Sequence, residues 1–316
     1  MVKCKYIIIL IFSLLNCKEE MMGQDKPYSN TIVFASDTQS PLWIEKVFLK
    51  TDHNTKATEL VFNDIIELKP LALFLLGDVV SLGYSENKWK PVDEYLRAAR
   101  KEGIPIYGVL GNHELMQRPM TGEAKFQIRF PDHKRTGYVQ TFDSIAVVLL
   151  NSNFGSLSIE DIKRQNVWLK DTLKMLDNSE SIIAIIIGCH HPPYTNSKLV
   201  KSSSSVQNYF VEPFLASKKA KLFITGHSHA FEYFKKKGKD FIIIGGGGGL
   251  NHPLKNSSEE MNDVSATYKP HFHYLTVAIS TDDLIVVSHE LQGSPFKGFE
   301  IGYSIKIPLK SEESGR

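Results

Sequence analysis

Cysteine is scarce in this 316-residue chain: Cys4, Cys17 and Cys189 are all it has. That excludes a cysteine-rich metal site, so any metal must be held by histidine and carboxylate. An excess of charge of one sign is also lacking, with 37 basic against 35 acidic residues. Without Lys3 and Lys5 the two counts are equal at 35, and charge alone gives no sign of a nucleic-acid-binding surface. The apolar run from Tyr6 to Leu15 is shorter than the roughly 20 residues a membrane-spanning helix needs. No internal repeat is present. There is no His-Glu-x-x-His motif to support a single-metal hydrolase of another fold.

Lys3 and Lys5 followed by that apolar run read as the positive and hydrophobic regions of a secretory signal. The run ends Leu14-Leu15-Asn16-Cys17, which resembles the lipobox of bacterial lipoproteins. The resemblance implies cleavage before Cys17 and a lipid on that cysteine. It further implies export from a bacterial cell to a membrane-anchored position, periplasmic or at the cell surface. Asn16 stands where a small residue is usual, and an ordinary signal peptide with an incidental cysteine is the alternative. With Cys4 removed and Cys17 lipidated, Cys189 stays alone as a small buried hydrophobe in an apolar strand, so no internal disulfide can form. Residues 18–30 read as a polar tether, 31–309 as one domain and 310–316 as a polar tail.

Within the domain, apolar runs bounded by turn residues predict strands over 31–36, 71–76 and 104–110. Helices over 56–68 and 91–100 separate them, the second opened by Pro91. This is the order of right-handed parallel crossovers. Strands at 138–142 and 145–150 pair around Asp143-Ser144. A helix over 159–176 has Ile162, Val167, Leu169, Leu173 and Leu176 as its apolar stripe. Strands at 181–189 and 221–225 bracket a helix at 206–215, and a serine run beginning at Ser202 reads as mobile. Antiparallel strands at 231–234 and 241–244 lead into five glycines, Gly245–Gly249, which permit close backbone approach at a sheet corner. Later strands are expected at 274–279, 284–289 and 303–307. The simplest account is one mixed α/β domain, with parallel units early and antiparallel strands late.

Five short motifs follow strand-like runs: Ser36-Asp37-Thr38-Gln39; Gly77-Asp78; Gly111-Asn112-His113-Glu114; His190-His191-Pro192; and Gly226-His227-Ser228-His229. Residues two apart in an extended segment face the same side, and two imidazoles aimed together, His227 and His229, are natural metal ligands. Alone each motif is weak, and a polar surface turn or helix cap explains it equally well. In this order, across residues 36–229, they resemble the calcineurin-like metallophosphoesterase superfamily, including its phosphodiesterase and purple acid phosphatase-like branches. That family runs Asp-x-His, Gly-Asp, Gly-Asn-His-Asp/Glu, a later His, and Gly-His-x-His.

The resemblance implies a four-layer αββα sandwich of two mixed β-sheets flanked by helices. It places Asp37, Gln39 and His229 on one metal, Asn112, His190 and His227 on a second, and Asp78 between them. The metals would be Mn, Fe, Zn or Ni, which suit mixed nitrogen and oxygen donors. His113 would be catalytic, assisting the leaving group while a hydroxide between the ions attacks phosphorus in line. Two ions, two aspartates and that hydroxide leave about +1, a centre that attracts phosphate. His191 would support a ligand, face substrate or be plainly structural. Glu114 would orient His113 or a neighbouring backbone group, or else be a solvent-facing cap. Two departures stand out. Gln39 replaces the usual histidine, which makes that site looser or favours a harder ion, and Ser81 replaces the tyrosine of purple acid phosphatases, against a ferric-tyrosinate centre. The expected function is hydrolysis of a phosphorylated small molecule or nucleotide, as a phosphomonoesterase or a phosphodiesterase. Specificity is expected in loops at 84–90, 115–136 and 194–205. The alternative is a catalytically degenerate, membrane-anchored binding or scaffold protein on the same fold, with Gln39 its only support.

Overall fold

The computed structural model describes residues 30–49, 53–255, 262–265 and 267–310. The secretory segment, Cys17 and all of the tether but its last residue lie outside the described residues, as does the tail beyond Lys310.

Among the described residues, twelve strands form two six-stranded sheets. The first contains β1 (Ile32–Ala35), β2 (Ala72–Leu75), β3 (Ile106–Gly108), β10 (His273–Ile279), β11 (Asp283–Gln292) and β12 (Gly298–Pro308). Its order is β12-β11-β10-β1-β2-β3, parallel from β1 to β3 and antiparallel elsewhere. The second contains β4 (Tyr138–Phe142), β5 (Ile145–Leu149), β6 (Ala184–Cys189), β7 (Ala220–Thr225), β8 (Phe231–Lys236) and β9 (Lys239–Ile244). Its order is β4-β5-β6-β7-β9-β8, parallel in the middle with antiparallel strands at both edges. Parallel pairing is therefore not confined to the early part of the chain.

The helices are α1 (Glu45–Phe48), α2 (Asn54–Leu68), α3 (Glu86–Lys101), α4 (Asn112–Leu115), α5 (Pro119–Arg129), α6 (Ile159–Asn178), α7 (Ser204–Val206) and α8 (Glu212–Ala216). Alternation along the strands builds three apolar layers. Phe34, Phe74, Val147, Ile186, Ile224 and Leu275 meet between the sheets. Val33 and Leu73 turn outward onto Val61, Phe62, Trp89 and Phe126 of α2, α3 and α5. Val148, Ile187 and Phe223 turn the other way onto Leu169 and Leu173 of α6 and onto Phe210 and Phe214. The result is a sandwich of two mixed sheets flanked by helices, and Cys189 is buried within it.

Several local expectations are corrected. Pro91 does not open α3: the helix starts at Glu86 and carries the proline in its second turn. Trp89 accounts for the earlier start, because its ring is fully buried and its indole N–H donates to the Gly83 carbonyl at 2.8 Å. Residues 84–90, expected as a loop, thus form the helix entry, and α5 occupies much of 115–136. Val167 of α6 faces solvent; Gln165 takes the inward position and exchanges hydrogen bonds with the Asn151 backbone at 2.9 and 3.0 Å. The serine run is structured. Ser202 Oγ accepts the Thr195 N–H at 3.0 Å, and Ser203 Oγ caps α7 through the Val206 N–H at 3.3 Å.

Trp89→Ala is expected to lower stability by about 3–5 kcal/mol, the cost of emptying a buried aromatic site. Val167→Ala, at an exposed position, should stay within about 0.5 kcal/mol. Denaturant midpoints at constant slope measure both.

Candidate metal centre

The five motifs lie at the carboxyl ends of β1, β2, β3, β6 and β7, which open toward a common edge of the sandwich. Ligands of open α/β sheets collect at such ends. The backbone turns sharply there: Asp37, Asp78 and His227 have φ of 58°, 49° and 66°. This left-handed region is unusual for non-glycine residues and gathers at functional positions. Two glycines let the turns close. A Cβ on Gly111 would lie 2.1 Å from Asp78 Oδ1, and one on Gly226 would lie 2.4 Å from Asp37 Oδ2. The glycine run ties this edge to β1, with Gly247 and Gly249 N–H groups donating to the carbonyls of Ser36 and Asp37 at 2.9 and 2.8 Å.

Two groups of candidate metal donors result. Asp37, Asp78 and His229 offer one atom each within 4.8 Å of one another, and His190, His191 and His227 do the same. Asp78 links them. Its Oδ2 lies 3.2 Å from His190 Nε2, while its Oδ1 accepts the His113 backbone N–H at 2.8 Å. Asn112 Oδ1 is 3.1 Å from the same His190 nitrogen. His229 Nε2 lies 3.3 Å from Asp37 Oδ1. The Gln39 amide satisfies its surroundings when its nitrogen donates to the Asp37 and Asp78 carbonyls at 3.1 and 2.7 Å. Its oxygen then faces His229 Nε2 at 3.3 Å. In that orientation the Gln39 oxygen lies beside His229.

This donor set fits divalent cations. His190 Nδ1 donates to the Leu76 carbonyl at 2.9 Å and His229 Nδ1 to the Leu250 carbonyl at 2.7 Å. Each bond anchors Nδ1 and turns Nε2 inward, the orientation metal-ligating histidines use once Nε2 gives up its proton. Burial disfavours charge on all these groups, yet the aspartates stay ionised. Asp37 is held below the usual carboxylate range by the hydrogen bond and charge of His229, and Asp78 by His190 and His113. In return, against its burial, the Asp78 carboxylate pushes His190 up to about 9, and Asp37 raises His229. Burial and the neighbouring His190 charge push His191 down to about 3 and lower His227.

His113 stands apart from both donor groups. Its Nδ1 donates to the Ser81 carbonyl at 3.1 Å, and its Nε2 is 3.8 Å from Asp78 Oδ2 and 3.9 Å from Glu45 Oε1. Glu114 is neither solvent-facing nor substrate-facing. It is fully buried, and its carboxylate accepts the N–H groups of Gly111, Asp78 and Val80 at 2.7, 2.9 and 3.0 Å. Burial and the Asp78 charge push it up to about 7. His191 Nδ1 meets Ser152 Oγ at 2.9 Å, and its ring lies 4.5 Å from that of His227. Sequence reasoning missed Glu45 and His252. The His252 ring stacks on His229 at 4.2 Å, and its Nδ1 accepts the His229 N–H at 3.3 Å. Its only signal was a histidine shortly after the glycine run.

The family model described as calcineurin-like phosphoesterase matches residues 31–231, and this chain belongs to that family. No curated protein matches the sequence. Among solved structures, the fold is similar to a purple acid phosphatase from yellow lupin (Lupinus luteus) seeds, with a TM-score of 0.65 and 13% identity. That alignment covers 90% of this chain and 54% of the lupin chain, so this chain spans about half of that protein. GAP50, the anchor in the inner membrane complex of Plasmodium, aligns with a TM-score of 0.62 and 16% identity over 90% of each chain. A dimetal phosphatase from Danio rerio aligns with a TM-score of 0.55 and 14% identity, over 90% of this chain and 100% of its own.

Glu114→Ala would leave three buried N–H groups without a partner, at roughly 1–3 kcal/mol each. It is expected to cost at least about 3 kcal/mol in denaturant unfolding and to lower bound manganese measured by mass spectrometry. Metal binding should also release protons. His190, with its pKa raised to about 9, carries a proton at pH 7 that ligation must displace. Manganese affinity should therefore rise from pH 7 toward 9, and the binding heat should change with the buffer's ionisation enthalpy. A heat independent of buffer would contradict the assignment of His190.

Proposed function

We propose that the chain is a hydrolase of phosphoester bonds that works with two divalent ions. Asp37, Gln39 and His229 hold one, Asn112, His190 and His227 the other, and Asp78 serves both. The observation that carries this reading is the position of Asp78, whose Oδ2 faces His190 while its carboxylate also belongs to the group of Asp37 and His229. Ions bound there would polarise the phosphoryl oxygens and lower the pKa of the attacking water.

The protein's own residues supply the rest. The rigid strand ends hold the donors, so little reorganisation accompanies reaction. His113 keeps its Nδ1 proton on the Ser81 carbonyl, which turns Nε2 toward the cavity. A proton on Nε2 can pass to the oxygen of the departing group, whose bond to phosphorus breaks as the water oxygen's bond forms. His191, held by Ser152 against His227, stiffens the second donor group. The substrate is a phosphorylated small molecule or nucleotide, as monoester or diester. Export and anchoring through Cys17 would place the reaction at a bacterial membrane, in the periplasm or at the cell surface. The scaffold alternative finds no support in the site, where even Gln39 presents an oxygen beside His229.

Aryl mono- and diphosphate esters with manganese or zinc test this. Turnover should disappear on chelation and fall at least about a hundredfold in Asp78→Asn, above what loss of a residue behind a ligand costs. His113→Ala should lose about 10²–10⁴-fold in turnover with metal content intact, the range of general-acid catalysis. Two bound ions with no turnover of any ester would refute the hydrolase, and loss of metal in His113→Ala would refute the role of His113.

A further inference from the structure

The cavity in front of His113, about 410 Å³ in volume, has two unlike walls. Asp78, Asn112, His113, His227 and His229 form the polar one, and Phe48, Leu49, Leu199 and Val200 form the other. The segment that carries Phe48 is itself apolar and exposed. Trp43, Ile44, Val47 and Phe48 are 76, 44, 65 and 79% exposed, and Leu199 across the cavity is 51% exposed. Single exposed apolar residues are ordinary, but a gathering at the mouth of a site marks binding. A second depression of about 340 Å³ meets the cavity at Asn112 and is mixed in character, lined by Leu115 and Phe154 as well as by Ser152, Asn153, Ser203 and Ser205. His113 lines the first cavity, with its Phe48 wall, and not the second depression. A leaving oxygen must lie within reach of His113 Nε2, so the leaving group lies along the Phe48 wall.

Glu45 adds a charge condition. Its Oε2 accepts the Leu42 N–H at 2.5 Å and its Oε1 lies 3.9 Å from His113 Nε2, which fixes a carboxylate at the seam of the two walls. A leaving group bearing phosphates would bring negative charge against it in a partly desolvated cavity.

Resting on the hydrolase reading above, we infer that the leaving group is an uncharged alcohol with an extended alkyl chain. The chain seats against Phe48, Leu49, Leu199 and Val200 and runs out over the exposed surface of 43–48. Glu45 disfavours polyphosphate leaving groups, which narrows the substrate away from nucleoside di- and triphosphates.

Manganese-loaded protein is assayed on n-alkyl phosphates and di-n-alkyl phosphates of increasing chain length, from methyl to octyl, below their micelle concentrations. Each methylene covered by the wall should raise kcat/KM about two- to fourfold, from the transfer energy of a buried methylene. Leu199→Ser, and Phe48→Ser with it, should lower the octyl-to-methyl ratio at least about tenfold at unchanged metal content. Glu45→Gln keeps an oxygen for the Leu42 N–H and should raise the pyrophosphate-to-methyl phosphate ratio several-fold. Turnover that is flat or falling with chain length overturns the inference while the hydrolase stands. A flat series together with binding to phosphatidylcholine vesicles assigns the apolar surface to a bilayer and overturns it equally. Two bound ions with no turnover of any ester would refute the hydrolase reading and this inference with it.

Discussion

Asp37 and Asp78 are buried carboxylates of like charge at the ends of adjacent strands, and nearly everything at this edge of the protein follows from keeping both ionised there. Little of either carboxylate is exposed, so the charges are met mainly by fixed partners. His190 and His229 meet them from the second sheet and from the turn beyond β7, at 3.2 and 3.3 Å. Each imidazole is held in turn by a backbone carbonyl. The two sheets are thus joined at this edge by charge as well as by the apolar layer between them. With both aspartates ionised and the imidazole Nε2 atoms aimed inward, the arrangement suits cations.

Such a cluster survives only on a stiff frame. Glu114 gathers three N–H groups from the turns after β2 and β3, and Asp78 Oδ1 takes the His113 N–H, so the two strand ends move as one. One oxygen of Asp78 serves the frame and the other faces the donors. The left-handed turns at Asp37, Asp78 and His227 are strained positions that this web holds in place. His113 is positioned by the same web, since its backbone is tied to Asp78 and its ring to the Ser81 carbonyl.

The strands were legible because each is a short apolar run with a turn residue behind it, and the site because its five motifs follow those runs in order. Gln39 was placed beside His229 only through the family resemblance, and the two side chains lie 3.3 Å apart. Other features were hidden for physical reasons. Pro91 misleads because the start of α3 is decided by the burial of Trp89, whose indole N–H reaches back to the Gly83 carbonyl. Val167 looked like part of a stripe, but Gln165 turns inward because its amide completes the hydrogen bonds of the Asn151 backbone. α5 buries only Gly122 and Phe126, too few positions to give a periodic signal. The burial of Glu114 and the placing of Glu45 and His252 beside the donors depend on chain segments that meet only in the folded state.

The central claim is that Asp78 stands between two ions. Anomalous diffraction from manganese-loaded crystals tests it most directly. The account predicts two peaks about 3.5–4 Å apart, the spacing of two-metal hydrolases, with Asp78 reaching both. A single peak, or two peaks of which only one lies beside Asp78, would contradict it.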